Sequence, residues 1–345
     1  MKLLVTGGNG FIATNFIKLA LENYDVISVD NMSYSGVGDN HILYQNENNY
    51  KFIHDDIRNK SLEHIICDNS IDILINFAAQ SHVDRSIHDD SEFLSTNING
   101  THNLLKICKK LIDLNKLSSD FKFIQISTDE VYGSLDQSDA PFNEGSILKP
   151  SNPYSASKAS ADLICQSYFN TYGFPVIITR CSNNYGPYQF PEKLIPLSIN
   201  YVQANKKIPI YGKGDQIRDW IHVDDHCRGI LQVLSHGDLG EIYNFGASQE
   251  LPNIEVVRKI VNYLKPNDNY LDHISFVKDR KGHDYRYAID SNKSNSLLEW
   301  KAQIKFETGI YPTIKWYLEN ELWRSSRSKI LTNNAEYQTL YQSKK

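Results

Sequence analysis

The first thirteen residues place a short apolar run directly before a glycine-rich turn. Residues 2–6 have the pattern of a buried strand, Gly7-Gly-Asn-Gly10 follows at once, and Ala13 stands where a third glycine is common. Glycines at this point let backbone amides approach a pyrophosphate at the amino end of a helix. This order of strand, turn and helix predicts the beginning of a dinucleotide-binding fold.

A second apolar run ends at Asp30, twenty residues after Gly10. A carboxylate there accepts hydrogen bonds from the two hydroxyls of an adenine ribose and repels a 2'-phosphate. No arginine follows until Arg58, so the cation expected beside a 2'-phosphate is missing from this turn. We therefore expect NAD rather than NADP as the cofactor, although an aspartate that only caps a strand is the simpler interpretation.

Apolar runs and helical patterns alternate from residue 1 to about residue 180. This alternation is typical of an α/β protein with a Rossmann-type, doubly wound parallel sheet, whose strands converge on one crevice at their carboxyl ends. Strands are predicted at 2–6, 25–30, 50–54, 71–78, 121–128 and 174–181, and helices at 11–23, 89–114 and 153–172.

The second half of the chain has shorter strands, more prolines and helices near 191–204, 224–236, 253–264 and 306–321. We interpret it as a smaller, mixed α/β substrate-binding lobe. The predicted division gives residues 1–180 to the NAD-binding domain, with returns to the main sheet near 218–246. Residues 181–217 and 247–322 form the substrate lobe, and residues 323–345 form a polar C-terminal tail, of which residues 325–345 are expected to be loosely held.

Composition narrows the class of protein. A chain of 345 residues with 41% hydrophobic content buries a large core. The net charge of -5 and the scattered basic residues disfavour nucleic-acid binding. No apolar stretch approaches the roughly 20 residues of a membrane-spanning helix. Five cysteines without Cys-x-x-Cys spacing, and a start that runs directly into a strand, favour the cytoplasm.

Tyr154 precedes Lys158 by one helical turn, which puts both side chains on one face of a helix. A nearby ammonium favours phenolate over phenol, so we expect Lys158 to lower the pKa of Tyr154 and make it a base near neutral pH. The spacing alone is weak, because the chain has 21 tyrosines. Tyr311 and Tyr341 also stand four residues before a lysine, and we interpret both as structural or incidental.

Thr128, Asp129 and Glu130 put a hydroxyl and two carboxyls at the end of the fifth apolar run. Repulsion and burial tend to keep one carboxyl of such a pair protonated while the other ionises. An isolated acidic pair is more often a solvated turn or a helix cap, but its place at a strand end favours catalysis. The sequence leaves open which carboxyl keeps the proton.

His222 and His226 stand four residues apart with two aspartates between them, an arrangement that resembles a metal site. The segment begins as a strand, so a shared helical face is not secured, and we predict no metal. His82 and Asp84 are interpreted as supports of their own loop.

Longer motifs resemble those of the extended short-chain dehydrogenase/reductase family, and within it the 4,6-dehydratases that act on dTDP-glucose. The resemblance spans about residues 1–322. The chain departs from the family pattern at Ala13, at Gln80 where glutamate is common, and in the loop 31–36. Its most specific parts are residues 81–87, 127–133, 181–187, 191–196, 212–220 and 282–290.

The resemblance implies a hydro-lyase that uses NAD to convert dTDP-glucose to dTDP-4-keto-6-deoxy-glucose without net redox change. Tyr154 would take the proton of the C4 hydroxyl, Thr128 would bond the reacting oxygen, and Lys158 would hold the nicotinamide ribose. Glu130 would remove the C5 proton and Asp129 would protonate the departing C6 hydroxyl, after which hydride returns to C6.

The same resemblance supplies the binding residues and a homodimer joined through residues 89–114 and 153–172. The residues expected to line NAD are Gly7, Gly10, Phe11, Ile12, Asp30, Asn31, Asp56, Ile57, Ala78, Thr96, Tyr154, Lys158 and Asn184. Those expected to face the sugar nucleotide are Ser81, Thr128, Asn183, Lys193, Leu194, Pro209, Tyr211, Arg218, Asn253 and His283. Lys193 and Arg218 are suited to diphosphate charge.

Three alternative functions stay open. A UDP-glucose 4,6-dehydratase is one, because plant-type enzymes of that kind also carry glutamine at the position of Gln80. A sugar-nucleotide epimerase is another, although epimerases usually lack the tandem carboxyls. A non-catalytic, NAD-sensing protein is the third, and the intact set Thr128, Asp129, Glu130, Tyr154 and Lys158 argues against it.

Overall fold

A parallel sheet of seven strands forms the centre of the structure, a computed structural model that describes residues 1–36 and 38–333. The order is β10-β6-β5-β4-β1-β2-β3, so the chain winds outward from β1 in both directions and the order reverses between β1 and β4. The predicted Rossmann-type, doubly wound sheet is confirmed. Its strands are β1 (Lys2–Thr6), β2 (Asp25–Asp30), β3 (Tyr50–His54), β4 (Ile73–Asn76), β5 (Lys122–Thr128), β6 (Val176–Cys181) and β10 (Ile242–Phe245).

Helices cover both faces of this sheet, because its strands are apolar on both sides. In β1, Leu3 and Val5 enter one core while Leu4 enters the other. A π-helix, Leu94–Gly100, interrupts the predicted helix 89–114. The helices from this part of the chain are α1 (Phe11–Ala20), α2 (Leu62–Asp68), α3 (Val83–His88), α4 (Ser91–Phe93), α5 (Thr101–Asp113), α6 (Pro153–Tyr172) and α8 (Val223–His236).

Two smaller sheets lie beyond the main one. In the first, β9 (Ile217–His222) pairs with β7 (Asn183–Tyr185), β11 (Glu250–Pro252) and β13 (Arg286–Tyr287). In the second, β8 (Ile208–Tyr211) pairs with β12 (Ile274–Val277). The associated helices are α7 (Leu194–Gln203), α9 (Asn253–Leu264), α10 (Asn292–Leu298) and α11 (Phe306–Glu319).

Only one of the two expected returns to the main sheet involves a strand of that sheet. β10 pairs with β6 at its edge, and α8 packs against the same core as α1. The segment around Trp220 is instead β9 of a smaller sheet, so that expectation was wrong. Trp220 is buried against Phe306 in a separate apolar cluster, which holds the strand away from the main sheet.

The expected polar tail is a helix over much of its length. α12 spans Glu321–Asn333, Trp323 packs against Trp316 and Tyr188, and Arg327 is only 5% exposed. The expectation of a loosely held segment was therefore wrong for residues 325–333, because the contacts of Trp323 and the burial of Arg327 fix the helix. Residues 334–345, which include Tyr341, lie outside the described residues.

Candidate active site

The acidic strand end lies at the carboxyl edge of the main sheet, where β5 passes into the turn Asp129–Tyr132. The backbone N–H of Glu130 donates to Thr128 Oγ1 at 3.3 Å, and that hydroxyl donates to Asp129 Oδ1 at 3.3 Å. Asp129 is 3% exposed, and its Oδ2 has no hydrogen-bond partner among the described residues. The turn therefore holds a buried carboxyl beside a hydroxyl.

The two carboxyls of this turn differ in their electrostatic surroundings. Burial, and then the charge of Glu130, raise the pKa of Asp129 well above its usual value. Burial also raises the pKa of Glu130, but the charges of Arg218 and Lys193 act in the opposite direction. These surroundings favour the proton on Asp129 and ionisation of Glu130, a choice that the sequence left open.

Helix α6 presents the tyrosine and the lysine to this edge. Asn152 caps the helix by accepting from Ser155 N at 2.9 Å, Pro153 fits the first turn, and Gly173 ends it in a left-handed conformation. Tyr154 and Lys158 are both buried. The predicted helix 153–172 has the bounds that these caps impose.

The expected effect of Lys158 on Tyr154 was wrong for this structure. Burial, and then the charge of Glu130, raise the pKa of Tyr154 well above its usual value, while a hydrogen bond with Thr128 acts in the opposite direction. Lys158 Nζ donates to the carbonyl of Ile126 in β5 at 2.6 Å, and burial lowers the pKa of this lysine. The ammonium is thus held by the strand rather than directed at the phenol.

A narrow crevice of about 70 Å³ lies where the strand order reverses between β1 and β4. A Cβ on Gly7 would lie 2.7 Å from the backbone of Ala78, so a side chain there has no room. Thr96 Oγ1 is buried and without a partner among the described residues. The crevice suits a dinucleotide, and the predicted residues that line it are Gly7, Gly10, Asp30, Asn31, Asp56, Ile57, Ala78 and Thr96.

Two carboxyls of the crevice have opposite pKa shifts. Burial raises the pKa of Asp30 to about 6, against hydrogen bonds from the backbone N–H groups of Met32 and Asn9. For Asp56, hydrogen bonds from Arg58 and Asn31 outweigh burial and lower the pKa to about 2. Asp56 is therefore a fixed charge, whereas Asp30 titrates near neutral pH.

Several predicted cofactor residues do not line the crevice. Phe11 and Ile12 pack against the core beneath α1, and Asn184 lines the larger pocket described below. Tyr154 and Lys158 are likewise not among its lining residues. Residues that the sequence reasoning missed adjoin the predicted motifs, and this adjacency was the available signal: Val29, Ser33, Gly36, Asp55, Phe77 and Ala79. Gln80, a departure from the family pattern, also lines the crevice.

A larger pocket of about 440 Å³ opens between the main sheet and the smaller sheets. Glu130 lines it, which brings the acidic strand end to its wall. Ser81 and Thr128 do not line it, although the carbonyl of Ser81 accepts from Lys193 Nζ at 2.8 Å. The predicted residues in its lining are Asn183, Lys193, Leu194, Pro209, Tyr211, Arg218, Asn253 and His283.

Sequence reasoning missed much of the polar lining of this pocket. Asp84 accepts from the hydroxyl of Tyr211 at 2.6 Å and pairs with Arg280 Nε at 3.2 Å. His82 and Asp84, interpreted as supports of their loop, therefore also face the pocket. Most of the remaining polar residues lie in or next to the predicted motifs, which was the available signal: Asn152, Gln189, Glu192, Gln216, Trp220, Arg280, Asp284 and Tyr287. Tyr201, Lys207 and Ser275 had no such signal.

Known proteins resemble this chain in sequence over most of its length. Residues 4–313 match the family model described as GDP-mannose 4,6 dehydratase. A dTDP-glucose 4,6-dehydratase of Escherichia coli is 45% identical, over 94% of this chain and 95% of its own. This chain belongs to the dTDP-glucose 4,6-dehydratase family. The predicted family is confirmed.

Solved structures of the dTDP-glucose 4,6-dehydratase family superpose on almost the whole chain. The enzyme of Bacillus anthracis, in complex with NAD, has a TM-score of 0.86 at 44% identity and covers 95% of this chain and 99% of its own. The DesIV enzyme of Streptomyces venezuelae, also with NAD bound, has a TM-score of 0.86 at 41% identity, with 94% and 98% covered. The relatives thus share both the main sheet and the smaller ones.

Within this dehydratase family fold, the two histidines considered as metal ligands have other contacts. His222 caps α8 by accepting from Asp224 N at 3.2 Å. His226 is fully buried, and its Nδ1 lies 3.0 Å from Asn184 Oδ1. Burial lowers the pKa of His226 to about 3, so the ring is neutral and orients the amide of Asn184.

Proposed function

We propose that this chain is an NAD-dependent hydro-lyase that converts dTDP-glucose to dTDP-4-keto-6-deoxy-glucose. The observation that carries the proposal is the placement of Thr128, Asp129 and Glu130 beside Tyr154, with Glu130 in the wall of the larger pocket. A protonated carboxyl, an ionisable carboxyl and a phenol in one buried cluster provide the acid and the bases that a dehydration requires.

When bound, NAD supplies the acceptor for the hydride that leaves C4 and the donor of the hydride that reaches C6. Gly7, Gly10, Asp30 and Thr96 would hold it in the crevice. Tyr154, in its ionised form, would take the proton of the C4 hydroxyl; burial disfavours that form, and the positive charge of the bound nicotinamide would favour it. Thr128, whose side chain lies beside the phenol, would bond the same oxygen.

The two carboxyls of the strand end divide the elimination between them. A ketone at C4 acidifies C5, and Glu130, the carboxyl that ionises more readily, removes the C5 proton. Asp129, whose pKa burial and the Glu130 charge raise well above its usual value, gives its proton to the C6 hydroxyl, which leaves as water. A general acid needs a higher pKa than a general base, and Asp129 and Glu130 would meet these two requirements side by side.

The larger pocket would take the sugar nucleotide. Lys193 and Arg218 meet the diphosphate, and the hydrogen bonds that Arg218 donates to the carbonyls of Ile217, Tyr285 and Asp284 fix its direction. In this proposal the main sheet binds the cofactor. The smaller sheets, together with α7 and α9, bind the substrate.

The function is tested with purified protein and two candidate substrates, dTDP-glucose and UDP-glucose, each labelled with deuterium at C4. The expected result is a 4-keto product, formed faster from dTDP-glucose, with deuterium in the new methyl group. A faster reaction with UDP-glucose would favour the UDP alternative. A product epimerised at one carbon with its C6 hydroxyl intact would favour the epimerase, and NAD binding without turnover would favour the sensor.

Cellular placement and assembly are part of the same proposal. Among the described helices, none is long and apolar enough to cross a membrane. All five cysteines are free thiols, four of them buried. We place the protein in the cytoplasm as a homodimer joined through α5 and α6, where Leu163 and Tyr172 are 54% and 56% exposed. Light scattering that gives the mass of a monomer would contradict the dimer.

A further inference from the structure

Helix α12 is tied to the loop that follows β2. Trp323 Nε1 donates to Asn40 Oδ1 at 2.8 Å, and Arg327 Nη2 donates to the same oxygen at 3.4 Å. Arg327 is 5% exposed, and a Cβ built on Gly38 would overlap its guanidinium group. Two side chains of the helix therefore converge on one amide and on the backbone beside it.

Asn40 connects α12 to the glycine-rich turn through its own hydrogen bonds. Its Nδ2 donates to the carbonyl of Asn9 at 3.0 Å and to Thr14 Oγ1 at 3.2 Å. The side chain of Asn9 in turn donates to the carbonyls of Gly36 and Gly38, at 3.2 and 2.9 Å. Asn9 and Asn40 are both buried, so these bonds are shielded from water.

The last bond of this series reaches the carboxyl assigned to the adenine ribose. Asn9 N donates to Asp30 Oδ2 at 3.0 Å. A Cβ on Gly36 would lie 2.8 Å from Asp30 Oδ1, so the loop held by Asn9 closes directly over this carboxyl. Three residues thus connect α12 with Asp30: Asn40, Asn9 and the loop glycine Gly36.

We propose that α12 positions Asp30 and the glycine-rich turn for the adenine ribose of NAD, with Trp323 and Arg327 as positioning residues. The proposal rests on the proposed use of NAD and adds a second determinant of cofactor affinity, remote in sequence. Its physical basis is that an amide held by two donors presents its own donors in one fixed direction, which fixes Asn9 and hence Asp30.

The test compares two matched substitutions within one aromatic cluster. Trp323→Phe keeps a ring against Tyr188 and Trp316 and removes the donor to Asn40. Trp316→Phe makes the same change in a neighbouring ring whose indole N–H has no hydrogen bond with the described part of the chain. Binding of ADP-ribose and of NAD is measured by titration calorimetry, and folding by thermal unfolding.

Trp323→Phe is expected to weaken ADP-ribose binding about 2- to 10-fold, the effect of one lost hydrogen bond. Trp316→Phe is expected to change it by less than about twofold. Arg327→Met, which keeps the length of the side chain, is expected to act in the same direction as Trp323→Phe. It carries the test by itself if the phenylalanine variant fails to fold.

A second readout separates positioning from general stability. If α12 acts through Asp30, the losses caused by Trp323→Phe and Asp30→Asn are non-additive in the double variant. Equal losses in both tryptophan variants, additive losses in the double variant, or unchanged binding in Trp323→Phe and Arg327→Met would overturn the inference. Failure of the unaltered protein to bind ADP-ribose would instead refute the proposed cofactor.

Discussion

The crevice and the larger pocket are built in different ways. The crevice, of about 70 Å³, is formed by short stretches that follow successive strands of one sheet, and its lining residues all lie between Gly7 and Thr96. The pocket, of about 440 Å³, draws its lining from His82 to Tyr287 and from several sheets. The first is a local product of the chain, whereas the second depends on long-range packing.

The crevice and the pocket also differ in their charged groups. The crevice is held largely by backbone and glycine, with Asp30, Asp55 and Asp56 as its carboxyls. The pocket places Lys193, Arg218 and Arg280 opposite Glu130 and other acids, so its cations counter the burial that raises the pKa of Glu130. We therefore expect the crevice to hold the cofactor, and the pocket to hold the sugar nucleotide beside groups that move protons. The predictions below separate these two properties.

Tyr154→Phe should give the largest effect, because it removes the proton acceptor while leaving the ring and its packing. We expect turnover of dTDP-glucose to fall by about 10²- to 10⁴-fold, with NAD binding unchanged. Product formation and calorimetric titration with NAD measure the two quantities. A variant that keeps more than a tenth of the activity would show that another group takes the C4 proton.

Asp129→Asn and Glu130→Gln should each lower turnover by about 10²-fold or more, since an amide neither gives nor takes the required proton. They should differ in deuterated water. With Asp129→Asn, the base Glu130 is intact, and C5 of the sugar should acquire deuterium without loss of the C6 hydroxyl. With Glu130→Gln it should not. The reverse pattern would exchange the two assigned roles.

Lys193→Met should raise KM for dTDP-glucose about tenfold or more, as expected for a charged contact with the diphosphate. It should lower kcat by a smaller factor, because Arg218 and Arg280 still counter the burial of Glu130. Lys206→Met is the matched control, because Lys206 is exposed and lies outside the pocket lining. Initial rates over a range of substrate concentrations measure both constants. A similar KM for the two variants would remove Lys193 from the binding site.

The smallest expected effect is the pH dependence of NAD binding in the crevice. Asp30 must be ionised to accept from two ribose hydroxyls, and burial raises its pKa to about 6. Protonation below that pH therefore weakens binding, and we expect the Kd for NAD to rise about tenfold between pH 7 and pH 5. Calorimetry across this range tests it. Asp30→Asn should bind weakly at every pH and lose this slope, and a slope that persists would assign it to another group.

Local signals predicted the features that depend on neighbours in the chain. The predicted helix 153–172 has the bounds of α6, which begins at Pro153 and is capped by Asn152 and Gly173. The glycine turn and Asp30 likewise meet in one crevice, because the carboxyl ends of β1 and β2 are adjacent. Such features need only the pairing of neighbouring strands.

Features that depend on distant packing were missed or misjudged. α12 has a polar sequence, and its fixed position comes from contacts of Trp323 with Tyr188 and Asn40, which no local pattern announces. The pKa of Tyr154 was misjudged for a related reason. Spacing places Lys158 on the same helical face, but the carbonyl of Ile126 in another element determines where its ammonium lies.

Strand β10 at the edge of the main sheet comes late in the chain, and this limits how the genes of two such proteins can be recombined. Because residues 242–245 complete a sheet begun at residue 2, after the chain has already built β7, β8 and β9, a single crossover of two homologues between residues 97 and 241 leaves the crevice whole. It splits the main sheet and the larger pocket between the parents. Exchange of substrate preference by gene fusion therefore needs at least two junctions, whereas point substitutions in the pocket wall need none.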